Sequence, residues 1–240
     1  MDEKLLTLKK WIDESDNIVF FGGAGVSTES GIPDFRSTDG LYSQKYKYPP
    51  ETIVSHTFLT RRTEEFFEFY KEKMVAPALA AKPNAAHLKL AEWEKQGKLK
   101  AVITQNIDGL HQAAGSKEVL EVHGTIMKNY CDRCGKKYPV EYVMESEGVP
   151  KCECGGTIRP DVVLYEEGLD SYVWNKAVSY IRNADVMIVG GTSLVVYPAA
   201  NLVDCYEGHK LVLLNLSATS QDSRANLVIH EKIGEVLSQL

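Results

Sequence analysis

Short apolar runs alternate along the chain with longer segments in which apolar residues recur every three or four positions. The runs occupy residues 18–21, 101–103, 119–122, 186–189 and 211–214, and only the third contains a charged residue. Near-continuous apolar strands separated by helices are typical of a parallel sheet that is covered on both faces. The pattern therefore predicts an α/β fold with helices on both sides of a parallel sheet.

The segments between the runs carry the helical period. Helices are predicted for residues 2–15, for 64–74, for the stretch between Pro83 and Gly97, and for the C-terminus around 233–240. Residues 37–60 differ, because Asp39-Gly40, several tyrosines and Pro49-Pro50 disfavour regular structure over much of the segment. We expect a mobile loop there that covers a cofactor.

The first apolar run leads directly into residues 22–25, Gly-Gly-Ala-Gly, and residues 30–36 follow as Ser-Gly-Ile-Pro-Asp-Phe-Arg. Glycine has no Cβ, so the backbone N–H groups of such a loop can approach a pyrophosphate. Many glycine pairs after strands are only tight turns, and the usual dinucleotide fingerprint needs a glycine where Thr28 stands. The aromatic, cationic and carboxylate side chains that follow favour a phosphate-binding loop.

Polar side chains follow the other runs at their carboxyl ends, the edge at which open α/β sheets bind ligands. They are Gln105, Asn106 and Asp108 after the second run, His123 after the third, Thr192 and Ser193 after the fourth, and Asn215 after the fifth. His123 is the candidate general base, because the pKa range of histidine suits a base near neutral pH. His87 and His111 are each compatible with a hydrogen-bonded structural imidazole.

Length and charge narrow the class of protein. With 240 residues, the chain is long enough for one domain with a small insertion. Its net charge of -6 and pI of about 5.6 leave no broad basic field, so neither nucleic acid nor a membrane is an expected partner. The sequence contains no leader-like segment and no apolar run of bilayer length. We therefore expect a cytoplasmic protein.

Four of the five cysteines predict a metal site. Cys131 and Cys134 form one pair, Cys152 and Cys154 form another, and 17 residues separate the two pairs. This spacing is typical of a zinc ribbon, although the second pair encloses one residue where two are usual. Four thiolates close a tetrahedral shell around Zn²⁺, so the site is predicted to be structural. Cys205 stands alone and is expected to behave as a small buried hydrophobe.

Five motifs, in order, resemble those of the sirtuins, the NAD-consuming protein deacylases. They are residues 23–27 with 30–36, residues 104–111, His123-Gly124, the cysteine quartet, and residues 191–198. The resemblance implies a Rossmann-like domain formed by residues 1–36, 76–125 and 159–240. It also implies a cofactor-binding loop and helical module at 37–75, and an inserted zinc module at 126–158.

The resemblance further implies NAD-dependent deacetylation of lysine on acetylated protein substrates, which yields nicotinamide and O-acetyl-ADP-ribose. The acyl-lysine peptide is expected in the cleft between the large and small domains. The implied catalytic residues are His123, Asn106 and Asp108. The implied NAD contacts are Ala24, Gly25, Thr28, Phe35, Arg36, Gln105, Asn106, Ile107, Asp108, His123, Thr192, Ser193, Asn215, Lys232 and Ile233.

Two departures from the family pattern bear on the substrate. The substrate strand usually reads Val-x-Phe-Gly-Glu, whereas residues 163–167 read Val-Leu-Tyr-Glu-Glu, so Glu166 replaces a glycine. A basic peptide would suit the added charge. Members that remove acidic acyl groups carry Tyr-x-x-Arg, whereas this chain has Tyr70 and Lys73, and lysine lacks the bidentate fork that a carboxylate favours. Acetyl or another uncharged acyl group is therefore the first expectation.

Other functions share parts of this sequence pattern. Protein mono-ADP-ribosyl transfer shares the cofactor site and stays open, as does removal of longer or acidic acyl groups. A nicotinamide dehydrogenase needs an acidic residue about 20 positions after the glycines, following a second strand. Residues 40–50 form a tyrosine-rich loop instead. A zinc-ribbon binding module with a degenerate enzyme core is disfavoured because Asn106, Asp108 and His123 are all present.

Overall fold

The computed structural model describes residues 2–35, 37, 40–43 and 45–240. The strands of the described residues are β1 (Ile18–Gly22), β2 (Leu99–Thr104), β3 (Val119–Glu121), β4 (Gly124–Cys131), β5 (Lys137–Pro139), β6 (Ile158–Val162), β7 (Val186–Gly190), β8 (Leu211–Leu214) and β9 (Leu227–Ile229). Six of them form a central parallel sheet in the order β3-β2-β1-β7-β8-β9. The predicted parallel sheet is confirmed.

Helices cover both faces of this sheet. The α-helices of the described residues are α1 (Glu3–Asp13), α2 (Pro50–Ile53), α3 (His56–Arg61), α4 (Thr63–Phe69), α5 (Ala76–Ala80), α6 (Ala85–Lys95), α7 (Leu110–Ala113), α8 (Val140–Glu145), α9 (Ser171–Asn183) and α10 (Ile233–Leu237). A π-helical stretch, Tyr70–Val75, joins α4 to α5. Phe20 packs with residues of α1, α6 and α10 on one face, whereas Phe21 packs with residues of α9 on the other.

The alternation within β1 explains the two layers. Successive side chains of a strand point to opposite faces, and all five residues of β1 are buried. Burial of each large apolar side chain contributes about 1.5–3 kcal/mol relative to exposure. The helices packed on both faces therefore stabilise the sheet, and the loops that follow the strands lie at its carboxyl edge.

The helical segment and the cysteine-containing insertion form one smaller body. Residues of α2, α3 and α4 share a hydrophobic cluster with residues of β4, α8 and β6. Strands β5, β4 and β6 form a separate antiparallel sheet in that order. The insertion lies between β3 and α9 in the chain. The boundaries of the modules given above stay predictions.

One expectation about residues 37–60 is wrong for the second half of that segment. It contains α2 and α3, because Pro50 opens α2 at its first turn and the Ser55 Oγ accepts a hydrogen bond from Phe58 N at the start of α3. Proline is preorganised for a first helical turn, and serine satisfies an otherwise unpaired N–H group. Arg36, Thr38, Asp39 and Gln44 lie outside the described residues.

Within the described part of the chain, every helix is too short or too polar to reach across a bilayer.

Candidate functional site

The glycine loop lies against the carboxyl end of β7. Gly25 N donates a hydrogen bond to Gly191 O at 2.8 Å. A Cβ on Gly25 would lie 2.8 Å from Gly191 Cα, so only glycine permits this approach. The loop continues as two 3₁₀ turns, Ala24–Val26 and Thr28–Ser30. These turns replace the α-helix of a usual dinucleotide-binding loop. A helix does not continue here because Gly31 ends the second turn in the left-handed conformation (φ 85°) and Pro33 follows.

Asn106 and Asp108 are joined to this loop through Ser27. The Ser27 hydroxyl donates to Asp108 Oδ2 at 2.6 Å and accepts from Asn106 Nδ2 at 3.0 Å. The second Asp108 oxygen accepts from Leu110 N at 2.9 Å. All three side chains are at least nine-tenths buried. Ser27 is a site residue that the sequence analysis did not identify, although it belongs to the first motif.

His123 is oriented by the backbone of the neighbouring strand end. Its Nδ1 lies 3.1 Å from Gln105 O, and because a carbonyl only accepts, Nδ1 carries the proton. In the neutral ring, Nε2 is then the basic nitrogen. Burial lowers the pKa of His123 from its ordinary value, and the hydrogen bond to Gln105 O opposes that shift. The neutral form, which a general base requires, is favoured near neutral pH.

Gln105, Thr192 and Asn215 connect the ends of three strands. Gln105 Nε2 donates to Thr192 Oγ1 at 2.9 Å, and Thr192 N donates to Asn215 Oδ1 at 2.9 Å. Asn215 Nδ2 is buried and has no hydrogen-bond partner within the described part of the chain. A buried amide without a partner is costly, so this nitrogen is a donor available to a ligand. The neighbouring Ser193 is exposed at the same edge.

The predicted adenine contacts lie at the N-terminus of α10. Ile233 is buried, and its Cδ1 occupies the space that a Cβ on Gly190 would fill. Lys232 is exposed and pairs with Glu235 at 3.1 Å. The Glu29 carboxylate accepts a hydrogen bond from Gly234 N at 2.7 Å, so the glycine loop and α10 are directly connected.

The remaining predicted cofactor contacts surround the loop. Thr28 Oγ1 donates to Gly25 O at 2.9 Å. The ring of Phe35 meets that of Tyr42 edge to face, with 5.5 Å between centroids. Ile107 packs on the hydrophobic cluster of the smaller body, and Ala24 is half-buried. Arg36, the predicted phosphate-neutralising cation, lies outside the described residues.

His87 and His111 form a buried pair behind Asp108. Their ring centroids are 4.7 Å apart, and His87 Nδ1 accepts from Asn84 N at 3.2 Å. Burial lowers the pKa of His87 to about 4 and that of His111 to about 3. Both rings are therefore neutral near pH 7. His87 has the expected hydrogen bond, whereas both ring nitrogens of His111 are buried without a partner among the described residues, so the expectation of a hydrogen-bonded imidazole is wrong for His111.

The four cysteines of the insertion converge as predicted. Their Sγ atoms all lie within 4.8 Å of one another, and Cys131 and Cys152 are buried whereas Cys134 and Cys154 are exposed. The Tyr138 hydroxyl donates to Cys152 Sγ at 3.1 Å. Four thiols at this spacing are the donor set of a closed tetrahedral zinc site. Gly156 permits the turn, because a Cβ there would lie 2.6 Å from Cys131 Sγ.

The residues present therefore fit both groups that the sequence predicts. For NAD, the fit is given by the close backbone approach at Gly25 and by the unpartnered Asn215 amide at the carboxyl edge. For zinc, it is given by the four convergent thiols. The edge combines a neutral imidazole, a buried carboxylate and two buried amides, which is a set able to orient a polar ligand and move a proton.

Comparison with known proteins gives consistent findings. A model of the Sir2 family matches residues 23–198. The chain is 60% identical to the NAD-dependent protein deacetylase of Clostridium acetobutylicum over 98% of this chain and 97% of that protein. A solved Sir2 structure with a p53 peptide and NAD⁺ is 43% identical, with a TM-score of 0.87 over 100% of this chain and 97% of the other.

A second solved structure is equally similar. It is described as a Sir2 variant with a deacetylated p53 peptide and 3′-O-acetyl ADP-ribose, and it is 43% identical with a TM-score of 0.89. It covers 97% of this chain and 95% of the other. The agreement extends through the sheet, the smaller body and the cysteine insertion together.

Proposed function

The chain belongs to the Sir2 family, and on that premise we propose how its residues carry out NAD-dependent deacetylation of lysine. The protein is an NAD-dependent protein deacetylase that acts on acetyl-lysine in protein substrates and holds one structural zinc ion. The observation that carries the assignment of roles is the convergence of His123 with the Asn106-Ser27-Asp108 network at one sheet edge.

NAD supplies a ribose carbon that loses nicotinamide and accepts the acyl oxygen of the lysine side chain. Asn106 and Asp108 would orient the nicotinamide ribose and amide, because their buried positions are fixed by Ser27. The backbone at Ala24 and Gly25 would face the phosphates. Thr192, Ser193 and Asn215 would hold the adenosine half, with Lys232 and Ile233 beside the adenine. Thr28, Phe35, Arg36, Gln105 and Ile107 complete the proposed contacts.

His123 would take a proton from a ribose hydroxyl through Nε2. Its Nδ1 proton is committed to Gln105 O, so the ring cannot turn without losing that bond. One water is consumed overall, and the products are deacetylated lysine, nicotinamide and O-acetyl-ADP-ribose. The cysteine insertion has no part in these steps, because four thiolates leave zinc no open coordination position.

The acyl preference is proposed from the surroundings of Tyr70 and Lys73. Tyr70 is fully buried and stacks on Phe66, with 5.5 Å between ring centroids. Lys73 Nζ pairs with Glu72 at 2.7 Å. The pair is exposed and therefore weak; the preference for acetyl over an acidic acyl group is proposed because lysine lacks the bidentate fork that a carboxylate favours. A four-cysteine zinc site is compatible with a compartment that keeps thiols reduced, which supports the predicted cytoplasmic location.

The test is nicotinamide release from NAD with acetyl-lysine, succinyl-lysine and unmodified peptides. We expect release to require acetyl-lysine and to fall about 10²- to 10⁴-fold in His123→Ala, with zinc still bound at one ion per chain. His209→Ala, which removes an exposed histidine, is the matched control and should resemble the wild type. Release without any acyl-lysine would instead favour ADP-ribosyl transfer, and loss of zinc in His123→Ala would contradict the separation of roles.

A further inference from the structure

Glu166 has a left-handed backbone conformation that is unusual for a residue with a side chain. Its φ is 78°, and among the described non-glycine residues only Leu194, at 57°, also has a positive φ. L-residues other than glycine are strained in this region. The family motif places a glycine here, which has no such strain. Some interaction of the Glu166 side chain must therefore offset the cost of its backbone.

That interaction is with helix α3. Glu166 Oε2 accepts hydrogen bonds from Thr57 N at 2.9 Å and from Thr57 Oγ1 at 2.7 Å. Thr57 lies in the first turn of α3, where backbone N–H groups lack partners within the helix. The bonds from Thr57 lower the pKa of Glu166, and smaller electrostatic contributions from the nearby His56 and Arg61 side chains act in the same direction. The carboxylate is therefore ionised and engaged.

The residues beside Glu166 are fixed to the same helix. Tyr165 N donates to Val54 O at 3.0 Å, and His56 N donates to Tyr165 O at 3.0 Å. These bonds form a short parallel bridge between Ser55 and Tyr165. The Glu166 carboxylate extends this bridge by one residue. Segment 163–167 is consequently held to the smaller body along one edge.

Glu167 anchors the same segment, residues 163–167, through other contacts. Its carboxylate accepts from Arg159 Nη1 at 2.7 Å and Nη2 at 2.9 Å, and from Leu164 N at 2.9 Å. Although burial raises the pKa of Glu167, these bonds lower it to about 2. Glu167 Oε1 also lies 2.9 Å from His56 Nδ1 in α3. Both glutamates therefore contact this helix, Glu166 through Thr57 and Glu167 through His56.

The position of this segment also bears on the candidate base. Val163 N donates to His123 O at 2.9 Å, so the segment begins directly beside His123. Glu166 lines two cavities, one of about 410 Å³ beside α3 and one of about 770 Å³ beside β3, β4 and β6. A shift of Glu166 would move the wall of both cavities and the strand that adjoins His123.

We propose that Glu166 is a positioning residue for the acyl-lysine peptide, which fixes segment 163–167 against α3 and does not recognise charge on the substrate. This rests on the proposed function and on the family resemblance, which implies that the peptide adds as a strand along this segment. The expectation that Glu166 favours basic peptides would require a carboxylate free to face the substrate. Its observed partner is Thr57 instead.

Three variants separate these roles. Glu166→Gln keeps an acceptor oxygen at the same reach and removes the charge. Glu166→Asn tolerates a positive φ but is one methylene too short to reach Thr57. Thr57→Val removes the hydroxyl donor and leaves the backbone donor. Thr60→Val is the matched control, because the Thr60 hydroxyl bonds only to backbone carbonyls of its own helix.

The measurement is kcat and KM for three acetyl-lysine peptides that carry Lys, Ala or Glu beside the acetyl-lysine. We expect Glu166→Asn to raise the peptide KM about three- to tenfold for all three peptides, with kcat and the KM for NAD little changed. Glu166→Gln should restore most of the wild-type KM, and Thr57→Val should lie between. Thr60→Val should match the wild type.

The outcomes separate the proposal from its premise. If Glu166→Gln alone abolishes a preference of the wild type for the Lys peptide over the Glu peptide, Glu166 recognises charge and the proposal is wrong. An unchanged KM in both Glu166→Asn and Thr57→Val also overturns it. Wild-type protein that releases no nicotinamide with any acetyl-lysine peptide would contradict the proposed function itself, independently of these variants.

Discussion

The carboxyl edge of the parallel sheet and the cysteine insertion both contain clusters of polar side chains, but these side chains have different kinds of partner. At the edge, Ser27 joins Asn106 to Asp108, and Thr192 joins Gln105 to Asn215. In the insertion, four thiols face one another, with the Tyr138 hydroxyl as a further donor to Cys152.

This difference shows which region depends on a bound group. Apart from the unpartnered Asn215 Nδ2, these side chains of the edge are hydrogen-bonded to one another and are backed by strands buried on both faces, so their geometry is set before NAD binds. The insertion brings together thiols that repel one another when ionised, so zinc has to neutralise them. Removing zinc from the insertion and removing one side chain from the edge should therefore have different consequences.

Loss of zinc is expected to have the largest effect. In Cys134→Ser, the full-length protein should lose zinc and the ordered structure of the insertion, because structural zinc binding contributes about 10–16 kcal/mol in small zinc modules. Activity should disappear, since β4 begins at Gly124 beside His123. Hydrogen exchange should show fast amides in residues 126–158 and persistent protection in β1, β7 and β8. Zinc-free protein with normal turnover would contradict this dependence.

The sequence predicted the region of the sheet better than the smaller body. Strands β1, β7 and β8 are buried on both faces, so their apolar runs are uninterrupted and easily read. Strand β9 escaped notice because it has three residues and Val228 is only half-buried. Strand β4 mixes polar and apolar residues, because Met127 and Lys128 face solvent.

The candidate site was predicted in its residue types and less well in its contacts. Ser27 lies 81 positions from Asp108 and 79 from Asn106, so no local pattern signals that its hydroxyl joins them. Helices α2 and α3 had local signals in Pro50 and Ser55, which the tyrosines and prolines of the segment obscured. The positive φ of Glu166 could not be predicted from the sequence, because φ at one position is not encoded by the residue alone.

The edge network can be broken with one substitution. Ser27→Ala removes the hydroxyl between Asn106 and Asp108 and leaves two buried polar groups short of a partner, which costs about 1–3 kcal/mol. We expect kcat/KM for NAD to fall about 10- to 100-fold, with zinc content unchanged. Ser116→Ala is the control, since Ser116 is buried and its hydroxyl has no partner within the described residues. Equal losses in both variants would indicate a packing effect.

The pH dependence sharpens the same comparison. Burial at the edge shifts the pKa of His123, whereas zinc fixes the charge of the four cysteines in the insertion. His123 must be neutral to act as a base, so activity falls as pH drops through its pKa. Since burial lowers that pKa from 6.5, the acidic limb of kcat/KM for NAD should have its midpoint below pH 6.5. Zinc content should stay constant across that limb. A midpoint above 6.5 would contradict the protonation state inferred for His123.

The smallest expected effect concerns the connection between the glycine loop and α10. Gly234 N donates to the Glu29 carboxylate at 2.7 Å, and a Cβ on Gly234 would lie 2.8 Å from both carboxylate oxygens. Loss of this charged hydrogen bond at a helix N-terminus costs about 1 kcal/mol. Lys232 and Ile233, the proposed adenine contacts, would then be less firmly held. We expect Glu29→Ala to raise the KM for NAD about three- to fivefold, with the peptide KM unchanged.

Two control variants test whether the hydrogen bond between Gly234 N and Glu29 affects cofactor binding. Glu29→Gln keeps an acceptor for Gly234 N and should lie close to the wild type, whereas Glu207→Ala removes an exposed charge elsewhere and should have no effect. Binding of ADP-ribose should weaken in Glu29→Ala, while inhibition by nicotinamide, which lacks the adenosine half, should not change. If nicotinamide inhibition weakens equally, Glu29 supports the whole glycine loop, and the edge is less firmly preset than its hydrogen bonds indicate.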